Sequence, residues 1–166
     1  MENLKMNCRF CKNSLEHMFV DLGKTPLANS YLSKESEFKI EKEIPLIALV
    51  CEKCFLIQVD EYEKPGNIFN NYAYFSSYST SWLEHTKKFA LEMIEKFNIS
   101  NKDQIIEIAS NDGYLLKNFK EMDIPVLGIE PASNVAEIAK KSGIPTISSF
   151  FGTKTVENIV NSGKKA

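Results

Sequence analysis

"IIEIASNDGYLLKNF", residues 105–119, decides how the second half of this chain folds. An apolar run stops abruptly at Asn111-Asp112-Gly113, and a helix-like pattern starts directly behind it. A short apolar stretch closed by turn residues reads as a buried strand, and the pattern after it as the helix that the strand feeds. Working outward, strands are expected at 105–110, 125–130 and 144–148, and helices at 114–121, 132–142 and 153–162. Pro125 and Pro145 fall at strand starts, where a missing N–H costs least. Gly143 follows "AEIAKKS" as a helix-ending glycine with lysines in the last turn. Strands alternating with helices of this length imply right-handed crossovers and a parallel sheet.

One more helix is legible upstream. Ser81-Trp82-Leu83-Glu84 fits a capping box, and Trp82, Phe89, Ala90, Met93, Ile94 and Phe97 recur at helical spacing. That stripe is expected to pack the helix onto the following sheet. The chain thus reads as three segments without internal repeats. Residues 1–64 hold all four cysteines and β-like runs such as "IPLIALVCEKCFLIQV"; residues 65–98 are a connector loop and helix; residues 99–166 are the α/β part.

Composition narrows the partners. With 43% hydrophobic and 25% charged residues the chain is of ordinary globular make-up, so a packed core is expected. A net charge of −2 gives no reason to expect nucleic acid or an anionic membrane as the main partner. No apolar run is long enough for a membrane helix, and "MENLKMNCRFCK" lacks the apolar core of a signal peptide. A cytoplasmic setting is expected, where thiols stay reduced.

Cys8-Arg-Phe-Cys11 and Cys51-Glu-Lys-Cys54 are two C-x-x-C knuckles. The turn inside each points both sulfurs the same way, and two such pairs complete the tetrahedral S₄ shell of a structural zinc site, with iron as the lesser alternative. The gap from Cys11 to Cys51 exceeds the usual ribbon spacing, so a loop or extra strand must be inserted. Two disulfides fit a reducing compartment poorly, and redox-active pairs would want thioredoxin-like surroundings that are absent here. A shell filled by four thiolates has no open position for chemistry; its role is to stabilise a lobe with little core of its own. His17 lies in this lobe and is expected to be incidental.

The turn after the first parallel strand carries a second chemistry. In doubly wound sheets, ligands bind beyond the carboxyl ends of the strands, where a glycine lets a ligand approach the backbone and the next helix presents free N–H groups. Glu107, Asp112 and Gly113 supply these parts, and Glu130 closes the next strand at about the spacing from which an acid receives two ribose hydroxyls. The full G-x-G-x-x-G is missing, and Asp112 would repel a pyrophosphate. A phosphate-free donor with a positive centre, S-adenosylmethionine, fits better: Glu107 and Asp112 offset its cationic groups and Glu130 holds its ribose. The plainer alternative is a domain whose strand-terminal acids merely cap helices.

Four stretches, "CRFCKNSLEHMFVDLGKTPLANSYL", "PLIALVCEKCFLIQV", "NIFNNYAYFSSYSTSWLEH" and "IIEIASNDGYLL…VLGIEPASNVAEIA", give the chain a family likeness. It resembles the nucleotide-deoxysugar C-methyltransferases, which carry an N-terminal zinc-binding domain ahead of an S-adenosylmethionine-dependent domain. The resemblance spans residues 8 to about 142. It implies an α/β fold, with a small zinc-binding β-rich lobe followed by the first half of a Rossmann-like methyltransferase sheet. It implies methyl transfer to a carbon beside the keto group of a nucleotide-linked deoxysugar. By matching position, Cys8, Cys11, Cys51 and Cys54 should hold Zn²⁺, and Glu107, Ala109, Asn111, Gly113 and Glu130 should line the methyl-donor site. Tyr74, Ser76 and Ser79 become candidates for contacts to cofactor or sugar, although a polar aromatic loop leading into a helix cap reads equally well there. Tyr74 and His85 are the candidate catalytic groups, His85 fitting a plain helix-face residue better than a base.

The chain departs from that family at its end. "NIVNSGKKA" stops where the family would start a fourth strand, leaving strand 105–110 as an apolar edge. The expectation is an N-terminal portion that binds zinc, binds S-adenosylmethionine weakly at best and lacks the base and sugar-binding half. Two other functions compete: a zinc-ribbon module binding protein or nucleic acid, and a non-catalytic remnant that pairs with a second polypeptide supplying the missing C-terminal half. The first wants a basic, aromatic face, yet residues 35–43 read "ESEFKIEKE", mixed in sign.

Overall fold

In the computed structural model, which describes residues 6–35, 40–69 and 71–163, strands before residue 60 pair antiparallel and strands after residue 100 pair parallel. Four residues of the mixed-charge stretch, 36–39, lie outside the described residues. The chain forms two compact units, up to Ile68 and from Phe69 onward.

In the first unit, β1 (Met6–Asn7) pairs with β2 (Ser14–Leu15) around the first cysteine turn. The insertion between the knuckles is β3 (His17–Thr25) and the loop after it, leading to β4 (Ile44–Val50). A three-stranded sheet β3-β4-β5 follows, with β5 at Ile57–Val59 behind the second turn. Its buried apolar set is meagre: Cys8, Leu15 and Cys51, with Met6, Cys11, Leu49 and Cys54 packed against them. Met18, Phe19 and Leu22 of β3 remain exposed. A lobe this thin cannot supply much hydrophobic stabilisation of its own. Helix α1 (Pro65–Phe69) ends at the change of unit.

The second unit opens with a 3-10 turn at Ser76–Tyr78 and then α2 (Thr80–Phe97). The helix begins two residues before the expected capping box. Ser79, extended at φ −94° and ψ 115°, is the cap, and its Oγ accepts the Trp82 N–H at 3.3 Å. Ser81 instead lies inside the first turn, because the 3-10 turn delivers an extended backbone already at position 79. The apolar stripe is also narrower than its periodicity suggested. Ala90, Met93 and Ile94 reach the core, whereas Trp82, Phe89 and Phe97 stay at least 39% exposed.

The parallel sheet β6 (Ile105–Ile108), β7 (Val126–Ile129), β8 (Thr146–Ile147) has the order β6-β7-β8, with α3 (Leu116–Lys120), α4 (Ser133–Lys141) and α5 (Thr153–Asn161) between and after its strands. The prolines sit just outside the strands, and their carbonyls accept from Ile105 and Gly128 at the start of each ladder. Alternation then sorts the side chains. Ile105 and Val126 join Ala90, Leu116, Phe119, Ala139 and Ile144 on one face; Ile106, Leu127, Ile129 and Ile147 meet Ile159 of α5 on the other. Gly143, at φ +79°, ends α4 as expected. Among the described residues β6 pairs only with β7, so its outer edge is open. No helix among the described residues is long and apolar enough to cross a membrane.

Candidate functional site

The two cysteine turns are built alike. Cys8 N–H reaches Asn13 O and Lys12 N–H reaches Cys8 O; Cys51 N–H reaches Leu56 O and Phe55 N–H reaches Cys51 O. The residue after each second cysteine is left-handed, Lys12 at φ +62° and Phe55 at φ +61°. These turns bring the four sulfurs within 4.8 Å of one another, with Cys8 Sγ 3.6 Å from Cys54 Sγ and Cys11 Sγ 3.5 Å from Cys51 Sγ. Disulfide sulfurs would stand about 2.05 Å apart, and all four cysteines are free. Tetrahedral zinc with Zn–S near 2.3 Å puts sulfurs about 3.8 Å apart, so the donor set fits that ion.

The charges agree. The Cys11 amide, with the Gln58 side chain, holds the Cys8 thiol down at about 6. At Cys54 the Leu56 amide favours the thiolate, but burial and the neighbouring sulfurs outweigh it and push this thiol up to about 12. Four sulfurs this close all ionise only around a cation. Gln58 was not legible as part of the site. Its Oε1 accepts from Arg9 N–H at 3.0 Å and its Nε2 donates to Cys8 Sγ at 3.3 Å, tying β5 to the first turn. His17 Nε2 lies 2.9 Å from the Glu52 carboxylate at the surface, apart from the sulfur cluster.

In the second unit the loop after β6 has an unexpected backbone. Ala109 (φ +58°), Asn111 (φ +49°) and Gly113 (φ +82°) are all left-handed, at alternate positions. Only one of the three is glycine, so the sequence shows one special residue where the fold uses three. Asn tolerates this conformation; Ala does not. Ala109→Gly is therefore expected to stabilise the protein by about 0.5–1 kcal/mol, the strain relief slightly exceeding the added chain entropy. A denaturant midpoint that falls or stays put would count against the strain. Gly113 is held more firmly, since a Cβ there would come within 2.8 Å of Ile144.

Glu130 closes β7 as expected but is already engaged. Its Oε2 accepts the Asn111 N–H at 2.9 Å and its Oε1 the Ala132 N–H at 2.8 Å. It thus ties the loop after β6 to the start of α4, in part the helix-capping role of the plainer alternative, with lone pairs left for a ligand. Glu107 and Asp112 behave differently. Glu107 Oε2 and Asp112 Oδ1 are buried and have no hydrogen-bond partner. Burial first, then the Asp112 and Glu130 charges, push Glu107 up to about 8, against the pull of the Tyr114 hydroxyl. Two bare carboxylate oxygens in one place are costly unless something positive or protonic meets them.

A cleft of about 390 Å³ lies at the carboxyl ends of β6 and β7. Of the residues singled out by sequence, Tyr74, Ser76, Ala109, Asn111 and Glu130 line it, and Phe69, Tyr72, Phe150 and Phe151 add aromatic walls. Glu107, Asp112 and Gly113 are not part of that lining. Ser79 caps α2, and His85 stacks on Trp82 at 5.3 Å, which in turn stands 6.1 Å from Tyr114. Asn134 and the Phe150–Phe151 pair were missed; neither carries a periodic or motif signal.

Comparison with known proteins places this geometry. Residues 8–69 match a family model described as "Putative zinc binding domain". The chain is also 31% identical over 152 residues to "C-methyltransferase NovU" of Streptomyces niveus, a match covering 92% of this chain and 36% of that protein. The chain therefore spans about a third of the length of the curated relative it matches. Over nearly its whole length the chain is similar to a C-methyltransferase, and its amino-terminal part matches a zinc-binding domain, the likeness that its residues led one to expect.

Proposed function

We propose that the second unit is the donor half of a C-methyltransferase, a Rossmann-like sheet that holds S-adenosylmethionine beyond the ends of β6 and β7, while the first unit is a lobe stapled by Zn²⁺. The single observation behind this reading is a cleft of apolar and aromatic lining whose wall includes Ile108 and Asn111, the chain neighbours of Glu107 and Asp112, which carry buried, unpartnered oxygens. Such oxygens favour a ligand that is cationic at one end, and the aromatic walls favour one that is flat at the other. When bound, S-adenosylmethionine supplies an electrophilic methyl group on a positive sulfur. Glu107 and Asp112 would meet its charge, Glu130 its hydroxyls, and Tyr74 its flat adenosine end. The acceptor we infer is a nucleotide-linked keto-deoxysugar, whose acidic carbon beside the carbonyl must lose a proton before it takes a methyl group. The name of the relative, a C-methyltransferase, supports carbon as the methylated atom.

The open edge of β6 supports a second reading of the same site. Ile108 is 54% exposed there, and an apolar edge next to a ligand site invites another strand. More polypeptide, in this chain or a partner, would then complete the pocket and supply the base. Calorimetric titration tests the donor site. S-adenosylmethionine is expected to bind with Kd of about 10 µM to 1 mM, and Asp112→Asn to weaken it about tenfold. Silence at millimolar ligand would sink the reading.

A further inference from the structure

Residues 71–75, the stretch that carries Tyr72 and Tyr74 into the cleft, belong to no helix or strand. What holds this stretch is a set of side-chain amides acting as substitute peptide groups. Asn134, in the first turn of α4, accepts the Tyr72 N–H on Oδ1 at 3.0 Å and donates from Nδ2 to the Tyr72 carbonyl at 2.8 Å. Asn111, in the loop after β6, accepts the Ser76 N–H at 2.9 Å and donates to the Tyr74 carbonyl at 3.2 Å. Each asparagine therefore makes the same donor-and-acceptor pair that a neighbouring strand would make. The first exchanges both bonds with one residue, as in an antiparallel ladder. The second spans a carbonyl and an N–H two residues apart, as in a parallel one. Asp112 Oδ2 adds the Ser77 N–H at 3.2 Å.

We propose that Asn134, together with Asn111, is a positioning residue for the cleft: the two amides fix residues 72–77 so that Tyr72 and Tyr74 form one wall for the adenosine end of the donor. This rests on the cleft being the donor site. The rings support it, since Tyr72 stands 5.5 Å from Phe69 and 6.5 Å from Tyr74, a continuous aromatic surface carried by the backbone that Asn134 holds at Tyr72. Asn134 touches that backbone and does not itself line the cleft. It therefore acts on a ligand through the wall, and the loss of its amide should be felt as weaker binding rather than as unfolding.

The test compares Asn134→Ala with Val135→Ala, one residue along the same helix, where a fully buried valine faces the interior. Three readouts are taken on each: the thermal midpoint, amide hydrogen exchange over 71–77, and calorimetric affinity for S-adenosylmethionine. For Asn134→Ala we expect exchange over 71–77 at least ten times faster, affinity about ten times weaker, and a midpoint within a degree or two of the unmodified protein. For Val135→Ala we expect a clearly lower midpoint with affinity unchanged. If Asn134→Ala speeds exchange and binds as tightly as before, the wall plays no part in recognition and the assignment is overturned. It is overturned too if both variants weaken binding in step with their midpoints, since the effect is then one of stability. If the unmodified protein binds no donor at millimolar concentration, the donor-site reading fails and takes this assignment with it. That outcome is told apart by its presence before any substitution.

Discussion

Removing the metal from the four-cysteine centre, by chelation or by Cys51→Ser, is expected to unfold the first unit outright. Among the described residues the buried apolar set there is three residues, two of them cysteines of the sulfur cluster. A structural zinc ion contributes roughly 10–16 kcal/mol to a small domain of this kind, as much as the entire stability of an ordinary one, about 5–15 kcal/mol. Among the described residues of the lobe nothing else is of that size: β3 is largely exposed, and the His17–Glu52 pair sits in solvent, where such pairs contribute about 0–1 kcal/mol. Amide exchange protection of β3, β4 and β5 should disappear, while that of β6 and β7, which belong to the separately packed second unit, should persist. Retained protection of β4 in a metal-free sample would show that the lobe holds itself together.

The second large effect is a pH dependence centred on Glu107. Its folded value lies near 8, raised from an ordinary 4.5 by burial and by Asp112 and Glu130. A carboxyl whose folded value is raised favours the folded state while protonated. Its contribution is complete below about pH 4.5 and is lost as pH climbs through 8. The shift corresponds to several kcal/mol, and with the group's partial exposure a loss on the order of 3 kcal/mol is expected by pH 9. Glu107→Gln removes the charge and keeps the shape. Thermal midpoints of the variant should stay level between pH 6 and 9 while those of the unmodified protein fall, so the curves separate most at the alkaline end. Parallel curves would mean that the carboxyl is solvated and its bare oxygen an illusion. A cationic ligand should reverse the sign, binding more tightly as pH rises, because it meets the ionised form.

The four-cysteine cluster was legible because its geometry is local. Two C-x-x-C turns each close within six residues, so spacing alone fixes their shape. The parallel sheet was legible for a related reason: apolar runs punctuated by Pro125, Gly143 and Pro145 leave few alternatives. What escaped depends on long-range partners. Glu130 was placed at the right strand end, yet that its oxygens would be taken by the Asn111 and Ala132 amides depends on how two loops meet. Gln58 and Asn134 escaped because a side-chain amide has no periodicity and makes sense only opposite a peptide far away in sequence. The left-handed backbone at Ala109 was hidden for the opposite reason, since alanine announces nothing about φ. Trp82, Phe89 and Phe97 kept helical spacing but lie on a flank of α2 that the described residues leave uncovered, so periodicity overstated the core.

The likeness of the two cysteine turns bears on how the metal is acquired. Each turn is closed by its own main-chain bonds, so a two-sulfur claw is complete once residues 8–13 exist, without the rest of the lobe. The second claw begins forty residues later in the chain, which at a synthesis rate of about 5–20 residues per second is a delay of roughly 2–8 s. During that interval the first turn can offer an ion only two of the four sulfurs. A closed four-sulfur shell, and the selectivity that comes with it, is available only once the second pair of sulfurs arrives.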